Sequence, residues 1–160
     1  MFRRLIIAAL LILLTGCAGH EYRGYQTRAY SIRGIRYHPM QPAGAVGYTE
    51  EGTASHYKEG WFLFPGKTST GEKLYPWTKC GAHKTLPLPC RVRVTNLANA
   101  RSAVIRINDR GPFISGRMLD VTEPVAKKLG FYDQGLARVR IEVLSVGDGK
   151  YRIKGKGGFW

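Results

Sequence analysis

Residues 102–122 read SAVIRINDRGPFISGRMLDVT. The stretch opens with polar and apolar residues in alternation from Ser102 to Ile107, the pattern of a half-buried strand. It then sets Asn108, Asp109 and Arg110 side by side and turns at Gly111-Pro112. A second short strand follows over Arg117–Val121. An acid at the end of a strand, held by rigid backbone, is either a turn staple that satisfies backbone N–H groups or a working group.

The flanking sequence extends the same pattern. Arg91–Asn96 alternates, and Asn99-Ala100 makes the turn into Ser102. Gly52–Tyr57 reads as a short strand, and Leu136–Val146 alternates with Val139, Ile141 and Val143 on one face. Residues 58–79 are rich in loop formers, including Gly60, Pro65, Gly66, Gly71 and Pro76. Thr122 is placed to cap a short helix, Glu123–Leu129, with an acid in the first turn and Gly130 just past the end. Several short strands and one small helix describe a mainly β domain, a compact barrel rather than a sandwich of long hairpins. The chain of 160 residues suits one domain with a real core.

The N-terminus carries an address. MFRR is a short positive region and LIIAALLILL an apolar run of ten residues, half of what spans a bilayer. Leu14-Thr15-Gly16-Cys17 then resembles a bacterial lipobox, which implies a signal peptide over residues 1–16 and lipidation of Cys17. The alternative is an uncleaved anchor with an incidental Cys. Ala18 stands where lipoproteins retained at the inner membrane carry Asp, so the expected location is the outer membrane, facing the periplasm. The formal charge of +14 falls to +12 once Arg3 and Arg4 are removed, which favours an anionic partner without naming it. Residues 17–48 read as a basic, Tyr- and Gly-rich tether, with a partly ordered end near Tyr30–Met40. Interleaved basic and aromatic residues also suit nucleic acid, but an exported lipoprotein does not meet it, so no nucleic-acid partner is expected.

With Cys17 assigned to lipid, Cys80 and Cys90 remain as an even pair in an oxidising compartment. A disulfide is the expected arrangement, and closing this loop stabilises the fold by about 3 kcal/mol. The alternative, a metal site with His83 nearby, lacks a second pair of Cys ligands, so no metal and no cofactor are expected.

Taken in order, GTASHY (52–57), TSTGE (68–72), GAHKTLPLP (81–89), VRVTNLANARS (92–102), NDRGPFISGRMLDVT (108–122), LGF (129–131) and ARVRIEVL (137–144) resemble the rare lipoprotein A (RlpA-like) family. YSIRGIRYHPM (30–40) resembles that family's lead motif. The resemblance covers about residues 30–145 and implies a six-stranded double-psi β-barrel with one or two short helices, here over 49–146. It also implies lytic transglycosylase activity on peptidoglycan glycan strands. Such enzymes cut between N-acetylmuramic acid and N-acetylglucosamine, leave a 1,6-anhydro ring and favour strands stripped of peptide. The motif positions tied to activity fall on Glu72, His83 and Asp109.

The chemistry suits one carboxyl acting twice. It protonates the leaving oxygen, then takes the proton of the sugar's own C6 hydroxyl, which replaces the nucleophile of ordinary hydrolysis. Asp109 is the expected acid, with Glu72 supplying a like charge that helps it hold its proton. Arg110 is expected to turn away from Asp109 and to contact substrate. Neutral His83 is expected to bond Asp109 or the sugar. Each has a plainer alternative: a turn acid for Asp109, a solvated turn residue for Glu72, a packed His for His83. Asp120 reads as structural, bonding the turn before Thr122. Tyr57, Trp61 and Trp77 are candidates for sugar contact or for ordinary packing.

Some positions depart from the family. His56 replaces a Trp, Ala100 replaces a turn Gly, and Cys80 replaces a Thr. Residues 147–160 read as a tail without the septal glycan-binding (SPOR) domain that relatives often carry, and the chain is expected to be a monomer. The rival reading is a non-catalytic wall-binding or wall-loosening module.

Overall fold

In the computed structural model, residues 26–58, 63–147 and 151–152 are described. The signal peptide, Cys17 and Trp61 lie outside them. A lead hairpin comes first, β1 (Tyr30–Ile32) and β2 (Ile35–Tyr37), then a single helical turn, α1 (Pro42–Ala45). The long strand β3 (Thr49–Tyr57) follows, then a small hairpin of β4 (Gly66–Lys67) and β5 (Lys73–Leu74). Strands β6 (Cys80–His83), β7 (Cys90–Asn96), β8 (Ser102–Asp109) and β9 (Arg117–Thr122) lead to helix α2 (Glu123–Leu129). Strand β10 (Leu136–Val146) and the short β11 (Tyr151–Arg152) complete the order.

Six strands close into a barrel in the order β10-β3-β9-β6-β8-β7 and back to β10. The β3–β9 and β6–β8 pairs are parallel, and the other ladders are antiparallel. Closure leaves the six strands no unpaired edge. Alternation delivers the core: Val92 and Val94, Ile105 and Ile107, and Val139, Ile141 and Val143 all point inward and are buried. Each such side chain contributes about 1.5–3 kcal/mol on leaving water. Helix α2 closes one end with Val125, Ala126 and Leu129, beside Phe131.

The expected strands are present, most extended by a residue or more. Strand β6 is the one the sequence conceals. All four of its residues are buried, so no polar alternation marks it. Gly81 is required there, because a Cβ would lie 2.7 Å from the backbone oxygen of Asp120.

Three expectations change. Residues 26–48 are not a tether. Gln26 pairs with Leu88, Met40 N–H donates to Thr85 O at 2.7 Å, and Ala45 is fully buried in the core. Their apolar and aromatic residues pack on the barrel without the periodicity of a long element, which is why the sequence reads as linker. Thr122 stands at the N-cap of α2, but its hydroxyl accepts Cys80 N–H at 3.3 Å and makes no cap bond. Asp120 accepts a hydrogen bond from Ser55, its register partner across β3–β9, instead of holding a turn.

The turn between β7 and β8 holds Ala100 at φ 59°, a left-handed conformation that costs a Cβ-bearing residue. Ala100→Gly is expected to raise stability by about 1 kcal/mol, read as a higher Tm with unchanged spectroscopic fold.

Candidate active site

The site forms where β8 ends. In the parallel β6–β8 ladder Gly81 pairs with Ile107 and Ala82 with Asp109, so Asn108 is an extra residue on β8. Such a bulge re-aims the side chains beside it. Asp109 Oδ1 accepts Ser69 N–H at 2.9 Å and Arg110 N–H at 2.8 Å, and the Ser69 hydroxyl also donates to it. Oδ2 has no hydrogen-bond partner among the described residues. Asp109 is half-buried, with one oxygen pinned and the other available.

Ser69 belongs to the turn 68–72, and Glu72 holds that turn on β8. Its carboxylate takes Arg106 Nε at 3.1 Å and Nη2 at 2.9 Å, Asn108 Nδ2 at 3.0 Å and Thr70 Oγ1 at 3.1 Å. Burial pushes the Glu72 carboxyl up, but the bonds from Arg106, Asn108 and Thr70 outweigh it and leave the group below its ordinary value. Glu72 is therefore an ionised, neutralised brace. The sequence-based role of a like charge acting on Asp109 does not fit a carboxylate paired with Arg106.

His83 does not meet Asp109. It is 2% exposed, and its Nδ1 accepts the N–H groups of Thr85 and Leu86 at 3.2 and 3.1 Å. That leaves Nε2–H to face Glu50 Oε2 at 3.3 Å. Tyr48 donates to the same Glu50 oxygen at 3.0 Å. The bond from His83 is the largest of several effects that together hold the Glu50 carboxyl below its ordinary value. The pair borders a cleft of about 320 Å³ with Lys84, Arg117 and Met118. His83 anchors the loop after β6, and the carboxylate that reaches solvent beside it is Glu50, a residue the sequence reading missed.

Arg110 turns away from Asp109, as expected, but its substrate role is not seen. Its guanidinium donates to the carbonyls of Leu86 at 2.7 Å, Lys84 at 3.2 Å and His83 at 3.4 Å, and to that of Gln26. It also lies over the Tyr30 ring at 5.3 Å. Tyr57 borders a small cleft with Tyr75 and Pro76, and its hydroxyl is 3.8 Å from the Cys80 sulfur. Trp77 is 57% exposed and stacks on Tyr75 with centroids 5.0 Å apart. His56 stacks on Tyr132 at 4.9 Å.

Cys80 and Cys90 are free thiols, which corrects the expected disulfide. They lie on β6 and β7, on opposite sides of β8. Two strand spacings separate them by about 9–10 Å, beyond the ~7 Å limit for a disulfide. Their β8 partners, Arg106 and Ile107, also face opposite sides of the sheet. Burial pushes the Cys80 thiol up to about 11 and the Cys90 thiol up to about 12, so neither is a ready nucleophile.

Besides Glu50, the sequence reading missed Ser69 and Arg106. A signal for Arg106 was present: it is the one basic residue of β8, set between apolar residues on its outward face. Ser69 sits in the TSTGE motif but carries no mark of its own.

The closed six-stranded barrel with its two parallel pairs defines a class by fold, the double-psi β-barrels. The chain belongs to the family described as lytic transglycolase, whose model matches residues 49–141. It is 44% identical over 126 residues to the endolytic peptidoglycan transglycosylase RlpA of Rickettsia bellii, covering 77% of this chain and 54% of that protein. It is also 44% identical over 120 residues to the RlpA of Neisseria meningitidis serogroup A, covering 75% of this chain and 48% of that protein. The chain thus spans about half the length of these relatives. Among solved structures, the expansin of Clavibacter michiganensis matches with a TM-score of 0.50 at 16% identity, over 64% of this chain and 53% of that one. That likeness concerns the fold alone.

Two outcomes are expected here. Reductant leaves Tm unchanged, and Cys80 and Cys90 are alkylated only after unfolding; a reductant-sensitive Tm would restore the disulfide. Glu72 sits below its ordinary value of 4.5, so its contribution is full above that value and is lost as pH falls through the folded-state value. Glu72→Gln is therefore expected to cost roughly 0.5–1 kcal/mol at pH 7 and nothing in strong acid, by denaturant melts across pH.

Proposed function

We propose that this chain is an endolytic peptidoglycan transglycosylase with Asp109 as its acid and base. The observation that carries the reading is the asymmetry of Asp109. Three donors fix Oδ1, and Oδ2 has no partner among the described residues, in a chain of the lytic transglycosylase family.

Protonated Oδ2 gives its proton to the glycosidic oxygen as the C1–O bond of N-acetylmuramic acid breaks. The donors on Oδ1 stabilise the carboxylate left behind. The C6 hydroxyl of the same sugar then attacks C1, and Oδ2 takes the hydroxyl proton. Proton and bonds balance: one glycosidic bond is lost, one 1,6-anhydro bond is made, and no water is consumed. Ser69 and the Glu72–Arg106 brace act through Asp109 by fixing its rotamer. Glycan strands stripped of peptide are the proposed substrate, and lipid on Cys17 holds the protein at the outer membrane, facing the periplasm.

The test incubates the chain with sacculi and with amidase-stripped strands, and mass spectrometry reads 1,6-anhydromuramyl ends. The parent is expected to form them. Asp109→Asn is expected to lower the rate by about 10²–10⁴-fold. Ser69→Ala is expected to slow it by about tenfold with strand binding retained. Binding without product from the parent would make Asp109 a turn acid and the protein a wall-binding module.

A further inference from the structure

The lead segment does more than pack. Its first described residue, Gln26, ties three parts of the site together. Its side-chain amide donates to Ser69 O at 2.5 Å, its N–H donates to Leu88 O at 2.9 Å, and its carbonyl accepts from Arg110. Ser69 is the residue that pins Asp109. The lead therefore lies against the candidate acid's own support, and the space between them is a cleft of about 520 Å³. Pockets that bind small ligands are of this size.

The lining has a definite chemistry. Ile32, Tyr30 and Phe113 make an apolar and aromatic wall, with Tyr30 braced by Tyr37 at 5.2 Å and Phe113 by Tyr37 at 5.6 Å. Gln26 and Ser69 supply polar edges. The charged lining residues are Arg28 and Arg110, and no acid is among them. Arg110 is spent on backbone carbonyls. Arg28 is exposed and has no ion-pair partner among the described residues. The cleft thus joins an apolar wall to one available guanidinium, beside the group that cuts the chain. A guanidinium in such a place selects a carboxylate, which it grips in a forked geometry.

We propose that the lead segment and Phe113 form a subsite for a carboxylate-bearing sugar unit, with Arg28 binding the carboxylate. The proposal rests on the peptidoglycan reading above. In that polymer the carboxylate comes from one of two sources: the lactyl ether of a muramic acid without its peptide, or an attached stem peptide. The subsite abuts Ser69, so it positions the unit next to the glycosidic oxygen that Asp109 protonates. Arg28 is a specificity-determining residue in this arrangement, not a catalytic one.

The test measures strand binding by the full chain in the Asp109→Asn background, so that strands stay intact. Three probes are compared: stripped soluble strands with free lactyl carboxylates, the same strands after amidation with methylamine, and peptide-bearing strands. Amidation is expected to weaken binding about three- to tenfold at low salt, and less at high salt. Arg28→Gln is expected to weaken binding of the free-carboxylate strands by the same factor and to abolish the effect of amidation, while Arg28→Lys keeps part of both. A loss confined to stripped strands identifies the lactyl group as the carboxylate bound; an equal loss with peptide-bearing strands shows that Arg28 takes the peptide's carboxylates as well. Indifference to amidation, or unchanged discrimination in Arg28→Gln, overturns the subsite. The two readings fail separately. A parent without anhydro products but with carboxylate-dependent binding removes only the catalytic assignment. Anhydro products with carboxylate-indifferent binding remove only the subsite.

Discussion

Strand β10 hydrogen-bonds along both edges, to β3 through Leu136–Glu142 and to β7 through Val139–Val146. That double pairing turns a curved sheet into a barrel. The apolar faces of six strands then share one interior, where open strands would leave them half wet. The closure also fixes which ends of the strands lie together. The parallel pair β6–β8 brings the C-terminal ends of both strands to one rim. Asp109 and the loop after His83 both leave the barrel there. Site geometry in this protein is thus a consequence of ring closure, with loops adding detail to positions the strands have set.

The acid's placement is bought with a local defect. The bulge at Asn108 breaks the β6–β8 register and buries an amide whose Nδ2 donates to Glu72. The other end of that amide, Asn108 Oδ1, is buried and has no partner among the described residues. An orphaned buried acceptor costs about 1–3 kcal/mol. The gain is alignment: the same amide helps hold Glu72, Glu72 holds the 68–72 turn, and the turn presents both donors of Ser69 to Asp109. A well-packed alternative without the bulge would recover the lost bond and mis-aim the acid. Local cost beside a positioned carboxyl is the pattern that motivates the proposed catalytic role.

Much of the barrel was legible because its long strands are wet on one side. The alternation in β7, β8 and β10 marks both the strand and its inward face. Strand β6 was illegible for the opposite reason, since burial on both faces erases alternation. The site was legible only in part. Asp109 stood out as an acid between an apolar strand and Gly-Pro. Its support did not, because Ser69, Glu72, Arg106 and Asn108 meet through β-sheet register and a turn rather than through chain spacing. The disulfide expectation failed on the same point. Cys80 and Cys90 are close in sequence, but β8 runs between their strands and separates them.

The lead segment shows how a sequence without periodicity still folds. Its residues form no long element, so nothing in the pattern of 26–48 announces order. Its order comes from outside, through single contacts with a finished surface: Arg110 reaches the Gln26 carbonyl, Thr85 O accepts Met40 N–H, Lys84 O accepts the Tyr30 hydroxyl at 2.8 Å, and Ala45 enters the core. Arg110 is central to this arrangement. Its position is set by the same turn that ends β8, and it spends its donors on carbonyls of the lead and of the loop after β6. Asp109 and Arg110 therefore divide the work of one dipeptide. The acid is held against the 68–72 turn through Oδ1, and the base fastens the lead, one wall of the neighbouring cleft, to the barrel. This answers why a strand should end on an acid beside a base: each charge serves a different surface, and the backbone between them keeps the two surfaces in register.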